Sequence, residues 1–229
     1  MKYFVQSLAA VVFGHYGIGN SLQTAATLDR ATNHIFTGEP AILPIPDDAP
    51  PEIPRIILTA KDKRWRCNVS PTRLEFTYDE PDQAREELDS IKGQYVATLH
   101  SLAKCAKTEL KAGVHRLALV VTSVALPEEP VELIGRTFIR DGVLFSPRQL
   151  EVHMLNRTTI GNLDVNKWCR VFSRDARYGE GRKTALFVVY DLNTVSDPQK
   201  PTEFGVEAIM AFYDLALAQV SDGMQTLFP

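Results

Sequence analysis

Five histidines, His15, His34, His100, His115 and His153, are the side chains best suited to acid–base work or metal ligation, because imidazole titrates near neutrality. They fall in separate segments, with no HExxH run and no i, i+4 pair, so their spacing favours surface or satisfied core histidines over a catalytic or metal centre. Gly14-His15-Tyr16-Gly17-Ile18-Gly19 lies between a strand-like and a helix-like segment, where a phosphate-cradling loop would sit. Its spacing is GxxGxG rather than GxGxxG, and no GK[ST] follows, so a plain glycine turn is expected. There is no GxSxG or SxxK, and Asp191-Leu192-Asn193 reads as a strand-ending turn rather than as part of a catalytic pair. Cys67, Cys105 and Cys169 form no CxxC; Cys67 and Cys169 read as small core residues, and the sparse, odd set suits a reducing cytoplasm. No catalytic residue, cofactor or metal is therefore assigned, and the enzyme reading is the weaker one.

Charge is more informative. Residues 55–73 hold six bases (Arg55, Lys61, Lys63, Arg64, Arg66, Arg73) and one acid (Asp62), a local +5. Residues 167–183 hold six bases (Lys167, Arg170, Arg174, Arg177, Arg182, Lys183) and two acids, a local +4. The chain as a whole carries a net charge of -3, so everything outside these stretches sums to -12. Trp168, Arg170, Phe172 and Arg174 alternate, mixing ring planes with guanidinium groups as single-strand binders do. The candidate nucleic-acid-binding residues are Arg64, Arg66, Arg73, Lys167, Trp168, Arg170, Phe172, Arg174, Arg177 and Arg182. In the competing reading, Trp168 and Phe172 fill the core where two halves meet, and the arginines pair with helix acids.

The elements that must position these residues follow from periodicity. Ala84, Leu88, Ile91, Tyr95, Leu99, Leu102, Ala106 and Leu110 recur at steps of three and four, which predicts a long helix. Pro81 would sit in its first turn, acids in 79–89 would complement its positive end, and Gly113 would cap its end. Thr202 is expected to cap a second long helix with the stripe Val206, Ile209, Tyr213, Leu217, Val220, Met224 and Leu227. Short alternating runs at 55–60, 64–69 and 73–78 predict one antiparallel meander, and 149–155, 165–173 and 184–192 a second, whose last turn is 177–183. Ile56, Leu58, Trp65, Cys67, Val69, Leu74, Phe76 and Tyr78 share one face, with Arg64, Arg66, Arg73 and Glu75 on the other. Each meander is preceded by a strand and a shorter helix, 3–13 then 21–34 and 116–124 then 131–138.

The fold class is therefore α+β: two β-α-βββ-α halves, 1–113 and 114–229, whose antiparallel meanders are covered on one face by two long helices. At 229 residues the chain is long enough for a core that needs no metal or disulfide, and no apolar run reaches membrane-spanning length. The apolar start, 3–13, reads as a core strand rather than a signal peptide, since Gln6 and Ser7 interrupt it and no A-x-A site follows. The first half carries a loop, 36–54, with six prolines, which must be extended and irregular. It is either a partner-docking or domain-wrapping arm or a passive surface connection.

Leu43-Pro44-Ile45-Pro46 leads through Pro54 into a strand-hairpin-strand, a long helix, the strand Arg116-Leu117-Ala118-Leu119, then Tyr190-Asp191 and a terminal amphipathic helix. This pattern resembles a sporadically distributed family of uncharacterised prokaryotic proteins of about 250 residues. The resemblance implies no catalytic residues and points to mobile-element, defence or toxin-antitoxin loci. The duplicated halves also resemble TATA-binding-protein-like and SecB-like folds. The expected function is a cytoplasmic, non-enzymatic interaction module that binds a protein partner or self-assembles, with no membrane contact. The alternative is a nucleic-acid-binding module using the basic meanders, and a third reading is a small anionic-ligand binder between the halves.

Overall fold

The computed structural model describes residues 1–46, 48–80, 85–139, 147–178, 181–195 and 202–228, those at 177 and 178 by backbone only. In chain order its elements are β1 (Phe4–His15), α1 (Ser21–Ala31), β2 (Ala41–Ile42), β3 (Ile56–Thr59), β4 (Trp65–Ser70), β5 (Arg73–Asp79) and α2 (Leu88–Thr108). There follow β6 (Gly113–Ala125), α3 (Pro130–Phe138), β7 (Glu151–Ile160), β8 (Leu163–Tyr178), β9 (Gly181–Thr194) and α4 (Val206–Leu227). This is an α+β molecule in which the order β-α-βββ-α occurs twice, the first time with the short β2 added.

All strands belong to one antiparallel sheet in the order β2-β3-β4-β5-β1-β6-β9-β8-β7. The order is the same read outward from the β1/β6 pair in either direction, β1-β5-β4-β3 on one side and β6-β9-β8-β7 on the other. The first strands of the two halves pair from Phe4↔Val124 to His15↔Gly113, with irregularities between Val5 and Ser7 and between Phe13 and Gly14. At the second irregularity the backbones come so close that a Cβ on Gly14 would lie 2.8 Å from the Gly113 carbonyl oxygen. Glycine is therefore required at Gly14 for space. Gly19 has open space around it, as a plain turn allows.

Strand alternation sends one side chain of every two toward the helices. Val5, Leu8, Ala10 and Val12 of β1 are buried there, with Trp65, Cys67 and Val69 of β4 and Leu74, Phe76 and Tyr78 of β5. The long helices answer with the stripes their spacing predicts: Leu88, Ile91, Tyr95, Leu99, Leu102 and Ala106 of α2, and Ile209, Tyr213, Leu217, Val220 and Met224 of α4, are all buried. Leu28 of α1 and Ile134 of α3 join the same cluster, so all four helices lie on one side. Each fully buried Leu, Ile or Phe is worth about 1.5–3 kcal/mol of transfer free energy. The accessible surface, 12760 Å², exceeds the ~10,000 Å² expected from size scaling, in keeping with a two-layer arrangement of helices on a sheet.

Helix ends differ from the sequence reading. The second long helix begins at Val206 with Gly205 as its N-cap, so exposed Thr202 stands outside it. Phe204 N–H is drawn instead to the Val114 carbonyl (2.8 Å), which docks the approach to α4 against β6. The first long helix ends at Thr108, and Lys111, at φ 50°, takes the left-handed conformation expected of Gly113, which already belongs to β6. Ala84 and the expected first-turn Pro81 lie outside the described residues, as do Gly179 and Glu180, which join β8 to β9. The proline-rich segment folds back on its own half: β2 pairs with β3, Leu43 N–H donates to the Arg55 carbonyl (2.9 Å), and Arg55 donates to the Pro46 carbonyl (3.1 Å).

Burial raises the phenol pKa of Tyr95 and Tyr213 well above the ordinary value, and that of Tyr3 to about 12. The neutral hydroxyls have uses: Tyr213 donates to the Val11 carbonyl (2.9 Å), Tyr95 to that of Phe76 (3.2 Å) and Tyr16 to that of Val12 (2.9 Å). Above an unfolded tyrosine pKa of about 10, the unfolded chain has released protons that the folded chain retains, so stability falls as pH rises. Urea unfolding should give a midpoint that begins to fall near about pH 8.5, where the thiols of the unfolded chain ionise while buried Cys67, Cys105 and Cys169 keep their protons, and that drops steeply beyond about pH 10 as the tyrosines follow. Gly14→Ala should cost about 1–3 kcal/mol in the same assay, and Gly19→Ala less than ~0.5 kcal/mol.

Candidate binding surface

Among the described residues no helix covers the far side of the sheet, the open face, and β8 carries the clearest candidate surface on it. The register fixes which residues lie side by side. One row runs Thr59, Arg66, Thr77, Ala9, Val120, Asp191, Trp168, Leu155 from β3 to β7. The next runs Thr122, Val189, Arg170, His153, and the one after it Val124, Phe187, Phe172, Glu151. Trp168, Arg170, Phe172 and Arg174 thus share the open face, as their alternation predicts. Trp168 is 38% exposed, so it does not plug the core. Its neighbour across the strand pair, Leu155, is 53% exposed.

A trough of about 630 Å³ lies where the halves meet on this face, lined by Phe4, Gln6 and Glu80 from the first half and by β6, β9 and β8 from the second. Val120, Val124, Phe187, Val189 and Phe172 make its apolar part, while Arg85, Arg170 and Arg174 supply positive charge and Glu80 and Asp175 negative. Val124, Ala185 and Phe187 form a small core of their own, separate from the one under the helices. Phe172 and Phe187 stack on each other, centroids 5.2 Å apart and planes within 4°. Each ring spends one of its two faces on the other. Ring edges suit aliphatic and carboxylate-bearing partners better than a stacked base.

The remaining candidates divide. Arg66 reaches the open face beside Asp79, at 3.4 Å, and Arg73 lies in register with Phe13 on the same face. Arg116, which the sequence reading did not select, holds its guanidinium 4.9 Å from the Phe13 ring centre. Arg64 precedes β4 and is committed to Glu86 at 2.9 Å in a half-buried ion pair, with Tyr78 hydroxyl within reach of both Glu80 and Glu86. That cluster ties segment 85–87 to the first half, aided by Val5 N–H donating to the Glu86 carbonyl (2.8 Å). Lys167 falls on the opposite face from Trp168, with its ammonium 5.2 Å from the Tyr190 ring centre, because neighbouring residues of a strand point opposite ways. Arg182 is exposed in β9 at a position that alternates to the face opposite Lys183, and the Arg177 side chain lies outside the described residues. The ten candidates are therefore not one patch, and the positive charge of the second meander is split between two faces.

Asp191 sits on the open face between Val120 and Trp168 and accepts from Asn193 (3.2 Å), so it is a strand residue rather than the turn its sequence suggests. His15 and His115 come together, ring centres 5.7 Å apart, because β1 and β6 pair. Burial, then the neighbouring His15 and Arg116, lower the His115 pKa. Cys67, Cys105 and Cys169 are free and buried, and burial raises all three thiol pKa values, that of Cys105 to about 11. Among the described residues no group of three or more His, Cys, Asp or Glu side chains could hold a metal ion, and no helix is long and apolar enough to cross a membrane.

The trough residues that the sequence reading passed over, Phe187 and Val189 above all, had a signal: residues 185–190 form an unbroken apolar run, the mark of a strand covered on both faces. Fold and surface together define an α+β protein with helices on one side of a single antiparallel sheet and a partly apolar, arginine-edged trough on the other. No family model and no curated protein matches the chain.

Trp168 and Trp65, the latter only 6% exposed, should separate cleanly by quenching. Acrylamide is expected to quench a red-shifted component of the emission, and Trp168→Phe should remove that component while leaving a blue-shifted, protected one. Equal accessibility of both indoles would contradict the placement of β8.

Proposed function

We propose that this protein is a non-enzymatic interaction module that seats an apolar, acidic segment of a protein partner in the trough on its open sheet face. The observation that carries this reading is the combination of an apolar trough wall with Arg170 and Arg174 beside it. An aliphatic or aromatic side chain would bury against Val120, Val124 and Phe187, while a carboxylate would take a charge-assisted hydrogen bond from a guanidinium. The mutual stacking of Phe172 and Phe187, which takes one face of each ring, weighs against stacked bases in the trough.

Single-stranded nucleic acid is the second reading, favoured by exposed Trp168 next to Arg170 and Arg174 on one strand face. The two readings separate by salt and by variant. In pull-downs from the native host, the wild-type chain should retain a protein that Arg170→Glu/Arg174→Glu loses, with the unfolding midpoint of the variant unchanged. Oligonucleotide affinity should be negligible at low salt. A retained partner indifferent to both charge reversals would overturn the proposal. So would oligonucleotide binding that weakens steeply with salt, by about tenfold or more between 50 and 200 mM, and disappears in Trp168→Ala.

A further inference from the structure

The two ends of the sheet are finished differently. At one end β2 is only two residues long and runs into Leu43-Pro44-Ile45-Pro46, the short, proline-flanked kind of edge that resists pairing. At the other end β7 runs for ten residues with no proline, no lysine and no break in its register with β8. Leu155 stands exposed in the middle of it. Its two charged residues, Glu151 and Arg157, are of opposite sign, so they bar a strand of like charge but not one that sets Arg against Glu.

The outward hydrogen-bonding groups of β7 can be assigned. Ser173 N–H donates to the Leu150 carbonyl (3.2 Å), so even-numbered residues from 150 onward bond to β8, and odd-numbered residues turn their N–H and C=O away from the sheet. Gln219 of α4 already donates to the outward carbonyl of Thr159 (3.2 Å). The outward N–H and C=O groups of Glu151, His153, Leu155 and Arg157 remain, and among the described residues none of them donates or accepts a hydrogen bond away from β8. These four positions are centred on Met154.

We propose that β7 pairs antiparallel with β7 of a second copy of this chain about a twofold axis at Met154, joining the two sheets edge to edge. Three independent features select this partner and register. Pairing must match outward residues with outward residues, which restricts the axis to a residue rather than a peptide bond. An axis at Met154 uses all four free positions and none beyond them, whereas an axis at Leu155 would set Glu151 against Thr159, whose carbonyl is taken. It also places Glu151 of each copy opposite Arg157 of the other, and among the described residues Arg157 has no ion-pair partner of its own. Glu151 now bonds His153 (2.7 Å), and an exposed pair of that kind is weak enough to be exchanged. The exposed Leu155 would lie beside His153 of the second copy, with both open faces on the same side of the joined sheet. This proposal does not depend on what the trough binds.

Sedimentation equilibrium over a range of concentrations tests it, with Leu155→Pro, Glu151→Arg, Arg157→Glu and the double reversal Glu151→Arg/Arg157→Glu. The wild-type chain should dimerise. Leu155→Pro removes an outward N–H and no bond to β8, so it should abolish the dimer without unfolding the monomer, as judged by circular dichroism. Each single reversal should weaken dimerisation about tenfold or more, and the double reversal should restore it to within about threefold. A wild-type chain that stays monomeric at ~100 µM, or reversals that do not rescue one another, would overturn the proposal. Should Leu155→Pro fail to fold, the reversal pair decides.

Discussion

The antiparallel pairing of β1 with β6 is the constraint on which the rest of this molecule hangs. It joins the first strands of the two halves into the centre of one sheet, from Phe4↔Val124 to His15↔Gly113. With those strands in the middle, each half lays its own meander outward, β5-β4-β3 on one side and β9-β8-β7 on the other. It also brings α2 and α4 together behind the centre, where Tyr95 and Tyr213 send their hydroxyls to sheet carbonyls. A register slip of one residue at this pair would turn Val5, Leu8, Ala10 and Val12 away from the helices, which is why the close approach at Gly14 matters.

The four described helices lie on one side of the nine-stranded sheet, and among the described residues no helix covers the other side. The molecule handles that face in two ways. Over β4 and β5 it is polar, with Arg66, Asn68, Glu75 and Asp79 alternating with buried core residues. Over β6, β9 and β8 it is apolar enough to form a second small core around Val124, Ala185 and Phe187. The trough lies at the boundary between the two treatments. Arginines at its edge keep their charged heads hydrated while their stems cover apolar surface, the usual behaviour of long cationic side chains.

Much of this was legible in residue order. The stripe Leu88, Ile91, Tyr95, Leu99, Leu102 has helical spacing because those residues must meet one core, and the structure buries every one. The period-two runs of β3, β4 and β5 declare their inner faces for the same reason. Helix ends were less legible. Thr202 and Gly113 have the residue types of caps, yet Gly205 and Lys111 occupy the positions, because docking of Phe204 onto β6 and the start of β6 itself decide where the helices stop. The arginines divided for a similar reason: a local sum of charge counts Lys167 with Arg170, whereas alternation along β8 puts them on opposite sides of the sheet.

The class of elements, their order and the side each strand turns inward can be read from residue order alone, since they follow from short-range periodicity and the free energy of burying apolar side chains. Tertiary contacts settled that β1 meets β6, that Phe172 stacks on Phe187 and that, among the described residues, β7 is the last strand at its end of the sheet. Each of those depends on which strands become neighbours, and neighbour choice is set by contacts between residues far apart in the chain.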